Sequence, residues 1–376
     1  MSKEMTSRER FIRTLTGREV DRVPFIKVFG KQNGIVPQWE SEFPGIGQRI
    51  DGILQFEGEY RGWLDAPVNM ELSNLPPEIV LEDNANETVV SIGDGSVMRR
   101  LKNADYVRHR VKFAVKTSDD WQQIKERFMD PDDPGRFLAK WPAFVRDHRS
   151  REVPLQLTHR GVYGFPRVLM GDEALAYAFY DNPEMVRDMM TTYTSLTLAI
   201  WEKMLREIPF DLIECWEDMA SKNGALISPA MFREFMAPQY RRVREFADAH
   251  GIEIVLVDCD GFIGQLTGLM LEAGVTAMYP YEAQAGNDVA KMLDMHPSLG
   301  VIGGLDKNVM ARGRDAIDRE IERARALIRK GRFIPGPDHF VLSDVTWANY
   351  RYFMERLREV VMTTKPEPSP LSSRLL

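Results

Sequence analysis

The sequence predicts an α/β fold: a (β/α)8 TIM-type barrel with a small antiparallel β insertion near residues 78–116. Three observations predict it. From residue 153 onward, short apolar runs alternate with helical patterns at intervals of roughly 25–45 residues, the rhythm of a parallel sheet wrapped in helices. Those apolar runs end, one after another, in carboxylates. No G-x-G-x-x-G follows a strand, which weighs against a dinucleotide-binding sheet. The 376 residues are enough for one decorated barrel.

The elements follow in order. Residues 8–16 read as a helix with Phe11, Ile12 and Leu15 on its apolar face and Gly17 as its stop. Asp21 to Val28 reads as a turn feeding a first strand, and a second strand is expected near residue 60. Residues 30–75 are rich in Gly, Pro and aromatics and read as a long irregular segment with short helices. Ile79-Val80-Leu81, Thr88 to Ile92 and Val97 to Arg100 alternate or are β-branched, with Gly93-Asp94-Gly95 as a turn. Thr117-Ser118-Asp119-Asp120 caps a helix to about Phe128, broken by Asp130 to Pro134.

The alternation then begins. Val153 to Thr158 reads as a strand, and helices follow over 172–206. Phe210 to Cys215 is a strand ending at Trp216-Glu217-Asp218, and Ser228-Pro229 opens a helix to Ala249. Strands are expected at Glu253 to Val257, Thr276 to Tyr279, Gly300 to Gly303 and Phe333 to Pro335. Helices are expected over 262–273, 313–330 and 345–362. Residues 1–365 form one expected domain, and the Pro- and Ser-rich residues 366–376 a disordered tail.

Composition narrows the function. Hydrophobic residues make up 44% of the chain, and 49 basic against 56 acidic residues give a net charge of −7. No Lys/Arg block is interleaved with aromatics, so no nucleic-acid partner is expected. No apolar run approaches the roughly 18 residues of a membrane span, and the polar Met1 to Met5 shows no signal-peptide pattern. Cys215 and Cys259 both sit in apolar runs. A disulfide framework is therefore not expected, and the reducing cytoplasm is the expected compartment. The 20 methionines read as flexible core filler. Trp39, Trp63 and Trp141 read either as a homodimer surface or as pocket lining.

In a barrel of this kind the functional face is where the C-terminal strand ends meet. The sequence puts Glu217 and Asp218 there, then Asp258, Cys259 and Asp260, then Glu282, Asp306 with Lys307, and Asp338 with His339. A strand's period of two places Asp258 and Asp260 on one side. Two carboxylates held that close need a cation, a proton or a basic group between them. An acid after a strand can instead cap the next helix, a reading that stays open for Asp218 and Asp306. An Asp/Asp/His set suits a divalent metal with an open position, and zinc, manganese and iron all accept such donors. The metal would act as a Lewis acid on an ether, carbonyl or thiol substrate. His339, and likewise His159 beside Arg160, is either a site residue or a satisfied structural histidine. Arg160 and Arg167 flank Gly161 to Phe165; they could clamp a substrate carboxylate or form structural salt bridges. His109, His148, His250 and His296 read as surface residues.

Arg10-Phe11, Gly17, Asp21 to Phe25, Leu226 to Pro229 with Phe232, Phe235 and Pro238, Asp258 to Gly261, Glu272 to Val275 and Gly303 to Lys307 together resemble uroporphyrinogen decarboxylase-like proteins over about residues 8–362. The resemblance implies a TIM-type barrel and one of two activities. The first is decarboxylation of uroporphyrinogen III, which needs no metal; the arginine-rich segment that goes with it is absent between Phe25 and Pro67. The second is cobalamin-dependent methyl transfer between a small molecule and a corrinoid protein, usually with zinc on an H-x-C pair and a distant cysteine. The positions matching those ligands are Asp258, Asp260 and, aligned through Asn349, His339.

The resemblance thus implies a metal-dependent methyltransferase, with zinc the first metal expected. It would move a methyl group from a small methoxylated compound to a corrinoid partner protein. Asp258, Asp260 and His339 would hold the metal, with Glu217 or Glu282 as further ligands, and Asp218 or Glu217 would supply a proton. Arg160, His159, Arg167 and Glu282 would contact the substrate. The harder donor set favours an ether oxygen over a thiolate. Two alternatives stand beside this one. One is a lyase acting on a polycarboxylate, with Arg160 and Arg167 holding its acids. The other is a non-catalytic ligand-binding barrel.

Overall fold

The computed structural model describes residues 4–28, 35–58, 66–102 and 108–367. The expected strand near residue 60, Trp63 and the tail beyond Glu367 lie outside them. Helix α1 (Ser7–Thr16) starts on a reciprocal Thr6–Glu9 capping box and ends at Gly17 in the left-handed region, as its sequence predicts. The predicted first strand is an extended segment with a single bridge. Lys27 N–H donates to Gly58 O at 2.8 Å, and Phe25 O accepts from Glu57 N–H at 2.8 Å. Helices α2 (Ile35–Glu42) and α3 (Ile46–Leu54) follow.

The predicted insertion is a four-stranded antiparallel sheet in sequential order: β1 (Ile79–Asp83), β2 (Glu87–Ser91), β3 (Val97–Leu101) and β4 (Arg108–Lys112). Short polar side chains set its turns. Asn84 Oδ1 accepts from the N–H groups of Asn86 and Glu87, and Asp94 Oδ1 accepts from Ser96 N–H. Helices α4 (Ser118–Phe128) and α5 (Trp141–His148) lead into the barrel half.

There the strands are β5 (Gln156–His159), β6 (Leu212–Trp216), a two-residue hairpin pair β7 (Ala220–Ser221) and β8 (Gly224–Ala225), β9 (Ile254–Cys259), β10 (Ala277–Pro280), β11 (Gly300–Leu305) and β12 (Phe333–Pro337). Between and after them come α6 (Gly164–Met170), α7 (Asp172–Asp181), α8 (Pro183–Leu205), α9 (Pro229–Met231), α10 (Ala237–Ala249), α11 (Gly264–Glu272), α12 (Val289–Met295), α13 (Arg314–Lys330) and α14 (Trp347–Thr363). One π turn over Phe232–Met236 joins α9 to α10, so the single helix expected from Ser228 to Ala249 is continuous.

The large sheet has six parallel strands in the order β12-β11-β10-β9-β6-β5. The Val23–Val28 segment packs beside β12. A Cβ on Gly336 would come within 2.0 Å of Val28 Cγ2, so only glycine admits that approach.

Strand period sorts the side chains into two layers. Leu212, Ile254, Leu256, Tyr279, Ile302 and Ile334 share one small inner cluster with Phe11 and Leu15 of α1. Their neighbours Ile213, Cys215, Val255, Val257, Cys259 and Phe333 belong to the large outer cluster against the helices. Helix α1 closes the end where the strands begin: Arg332 Nη1, just before β12, donates to Leu15 O at 2.9 Å. The opposite end carries the acids.

Trp39 and Trp141 are buried, against the surface or pocket role expected of them. Trp39 Nε1 donates to Val345 O at 2.9 Å, and Trp141 Nε1 to Glu207 Oε1 at 2.7 Å. Cys215 and Cys259 are both free and buried. Among the described residues no helix is long and apolar enough to cross a membrane. The predicted tail is held at its start: Glu367 N–H donates to Arg329 O at 2.9 Å.

Candidate active site

Three side chains converge at the strand ends. Asp260, Glu282 and His339 each offer a ligand atom, all within 4.8 Å of one another. His339 Nε2 lies 3.3 Å from Asp260 Oδ2. Glu282 reaches the group because Tyr281, at φ +55°, turns the chain sharply after β10. One carboxylate oxygen, Oε2, then accepts from Gly261 N–H at 2.8 Å. A non-glycine residue in that left-handed region costs of the order of 1 kcal/mol. His339 is aimed from the other side. Its neighbour Asp338 is fully buried and accepts from Gln284 N–H and Lys307 N–H, each at 3.1 Å, tying three strand ends together. Burial pushes the Asp338 carboxyl up to about 6.

The donors fit a divalent ion. Two carboxylates and one imidazole form a hard oxygen and nitrogen set whose negative charges a dication would balance, with positions left for substrate. Asp258 is not in the group. It is buried in β9, opposite Tyr279 and Trp216 of the neighbouring strands. Cys259 faces the outer cluster, and burial holds its thiol well above the usual range, so no thiolate is offered.

Glu217 does something else. Its carboxylate is fully buried and accepts from Val162 N–H and Tyr163 N–H at 2.7 Å each, Gly164 N–H at 3.1 Å and the Tyr240 hydroxyl. These donors anchor the start of α6 to the end of β6. Gly161, at φ +89°, makes the approach possible: a Cβ there would sit 2.2 Å from Trp216 O. Burial still pushes the Glu217 carboxyl up to about 7, against the pull of its donors.

Asp218 is partly buried, its side chain 19% exposed, and adopts φ +45°. Its Oδ1 receives a long 3.5 Å contact from Asp260 N–H, and its Oδ2 lies 3.4 Å from Arg167 Nη1. Arg167 also binds Asp172 Oδ1 through Nε at 2.7 Å. Arg160 is paired with Glu71 at 2.7 Å. Both guanidinium groups lie over Trp216, at 5.0 Å for Arg160 and 5.5 Å for Arg167. Both predicted clamp arginines therefore already hold carboxylates. His159 is buried behind Arg160, its Nδ1 accepting from Gly161 N–H at 2.9 Å. Burial lowers its pKa to about 3, so the ring is neutral. Asp306 caps the turn after β11, accepting from Asn308 N–H at 2.9 Å.

Between β5, α6 and residues 66–75 lies a cavity of about 850 Å³; Arg160 and Trp216 line it, whereas Asp260, Glu282 and His339 do not. Sequence reasoning placed His159 and Arg160 in this region but missed Gln156, Glu71 and Trp216. Gln156 had a signal, since Leu155-Gln156-Leu157-Thr158 alternates and turns its polar residues inward. Glu71 had none, because it comes from an irregular segment.

The family model for uroporphyrinogen decarboxylase matches residues 110–360. The chain belongs to the uroporphyrinogen decarboxylase family. Its fold is the family's TIM-type barrel, with the six parallel strands as staves and the four-stranded sheet as an addition. No curated protein sequence matches this one. Among solved structures, a methyltransferase from Methanosarcina mazei is 15% identical, with 95% of this chain and 98% of that one covered at a TM-score of 0.57. That likeness is one of fold. A protein described as a vitamin-B12 independent methionine synthase from Listeria monocytogenes is 12% identical, covers 58% of this chain and 69% of its own, and reaches only 0.32.

Proposed function

We propose that the protein is a metal-dependent methyltransferase that takes a methyl group from a small methylated compound and delivers it to a corrinoid protein. The observation that carries this reading is the convergence of Asp260, Glu282 and His339 at the open end of the barrel. Nothing in folding requires two acids and an imidazole to share that space, and like charges resist it. In this reading those three residues hold a divalent metal, zinc first among the candidates, with Asp258 buried in the strand behind them. The bound metal would supply Lewis acidity toward the heteroatom that carries the methyl group.

The chain's own residues divide the remaining work. In this reading Asp218, partly buried and beside Asp260, would supply the proton that the demethylated heteroatom takes up. Arg167 Nη1, 3.4 Å from Asp218 Oδ2, would hold that side chain in position. Glu217 sets the β6–α6 corner from which Asp218 projects and is a positioning residue. Arg160 and Arg167 orient Trp216 at the edge of the cavity, where the methyl donor would lie.

The test is metal analysis of protein purified without chelator, followed by methyl transfer from a panel of methylated donors to reduced cobalamin. About one metal per chain, lost in Asp260→Ala and His339→Ala together with turnover, is the expected result. Protein that takes up no zinc, manganese or iron, or turnover that survives Asp260→Ala, would sink the reading.

A further inference from the structure

A second, smaller cavity of about 300 Å³ lies between the Gly93–Gly95 turn of the inserted sheet, the end of β4 and one flank of α4. None of the acids gathered at the barrel mouth lines it. Three cations do: Lys112, Lys116 and Arg127. No hydrogen bond or ion pair engages their side chains among the described residues. Arg127 is held in place all the same, its guanidinium carbon 4.8 Å from the centroid of the Phe128 ring. That contact uses the flat face of the group. The N–H donors at its rim, a fork that matches the oxygens of a carboxylate or a phosphate, stay free.

The acids of the lining do not cancel this charge. Asp94 is matched by Arg110, whose Nη1 lies 3.4 Å from its Oδ2, and it accepts from Ser96 N–H at 2.8 Å. Asp120 accepts from Lys116 N–H at 3.0 Å and from Thr117 N–H at 2.9 Å, as part of the α4 cap. Three cations thus face one remaining carboxylate, an excess of two positive charges, in a chain whose net charge is −7. Such a pocket draws anions. A phosphate monoester carries close to two negative charges, whereas a carboxylate carries one. Phe113, Ile124 and Phe128 supply apolar wall, a surface that covers a carbon body and gives a bare ion nothing.

We propose that this cavity binds a small organic phosphate, its dianionic head held by Lys112, Lys116 and Arg127 and its apolar body lying against Ile124 and Phe128. The site stands apart from the metal group and does not depend on the methyltransferase reading.

Binding is measured by calorimetry on the full chain, without metal, at pH 8 and low salt, using phenyl phosphate, inorganic phosphate and benzoate. Phenyl phosphate should bind most tightly. Inorganic phosphate lacks the apolar body and benzoate the second charge, and each should bind about tenfold more weakly. Arg127→Gln should weaken phenyl phosphate about tenfold, the effect of one charge-assisted hydrogen bond, and the pair Lys112→Gln and Lys116→Gln should do at least as much. All three residues are exposed, so these variants should fold. Lys291→Gln, at an exposed position on α12, is the control and should change nothing. The proposal is overturned if benzoate binds as tightly as phenyl phosphate, if Arg127→Gln costs no more than Lys291→Gln, or if no probe binds at millimolar concentration. Inorganic phosphate that matches the ester overturns the organic ligand and leaves a site for the free ion. Loss of phenyl phosphate binding in Asp260→Ala rather than in Arg127→Gln would place the anion at the barrel mouth, against the proposal.

Discussion

Glu217 and Asp260 both follow a central strand of the same sheet, and their surroundings are opposite. Around Glu217 the backbone N–H groups of residues 162–164 and the Tyr240 hydroxyl take up the carboxylate's accepting capacity. Around Asp260 another acid and an imidazole each bring a ligand atom within 4.8 Å, His339 Nε2 lying 3.3 Å from Asp260 Oδ2. An acid at a strand end is structural where the fold supplies donors, and available for chemistry where it supplies other acceptors. Position along the strand does not distinguish the two.

The largest effect that tests this contrast is at Asp260. Asp260→Ala removes one of three candidate ligands, and metal affinity is expected to fall by more than about 100-fold, since even outer-shell changes cost 10–100-fold. The fold should survive, because the Asp260 side chain is 41% exposed and supports no buried donor. The check is a thermal melt with and without zinc: the metal should raise the native Tm and leave that of the variant unchanged. Equal zinc stabilisation of both proteins would remove Asp260 from the site.

Glu217→Ala should behave the other way, with stability lost first and metal affinity little changed. Three backbone donors and a hydroxyl would be left buried without their acceptor, an expected loss of about 3 kcal/mol or more. A Tm within a degree of native would mean that the α6 corner does not depend on Glu217.

The same contrast explains what was legible in the sequence. The staves were, because apolar runs, turn residues and helix caps are local signals; β5, β6 and β9–β12 lie where periodicity puts them. The acids' arrival at one mouth was legible too, since it follows from strand direction. The grouping was not. Pairing Asp258 with Asp260 assumed that period two continues past Cys259, but β9 ends there and the alternation ends with it. Glu282 joined through the left-handed turn at Tyr281 and a bond from Gly261, 21 residues away. The cage around Glu217 is likewise more than 50 residues distant along the chain, apart from Tyr240. Long-range donors decide an acid's role, and no local pattern encodes them.

A smaller effect is expected with pH. The buried Glu217 carboxyl is raised from the ordinary value of 4.5 to about 7. Between those values the folded chain keeps a proton that the unfolded chain has released, so stability falls as pH rises through the window and levels off above it. Glu217→Gln removes that group. Its Tm, although lower throughout, should therefore drop less than the native Tm between pH 5 and pH 8. Asp338, raised to about 6 by its own burial, should leave a residual slope in the variant. Parallel curves for the two proteins would mean that Glu217 titrates in its ordinary range and that its donors outweigh its burial.

The smallest effect separates capping from ligation at the same mouth. Asp306 also follows a strand, yet its Oδ1 is committed to Asn308 N–H. Asp306→Ala should cost about 1 kcal/mol, the usual loss of a side-chain cap, and should leave zinc stabilisation as it is in the native chain. If that variant instead lost its response to zinc, the metal group would extend to the end of β11. Donors supplied by the backbone would then be insufficient to take an acid out of service, and the distinction drawn between Glu217 and Asp260 would have to rest on solvent access alone.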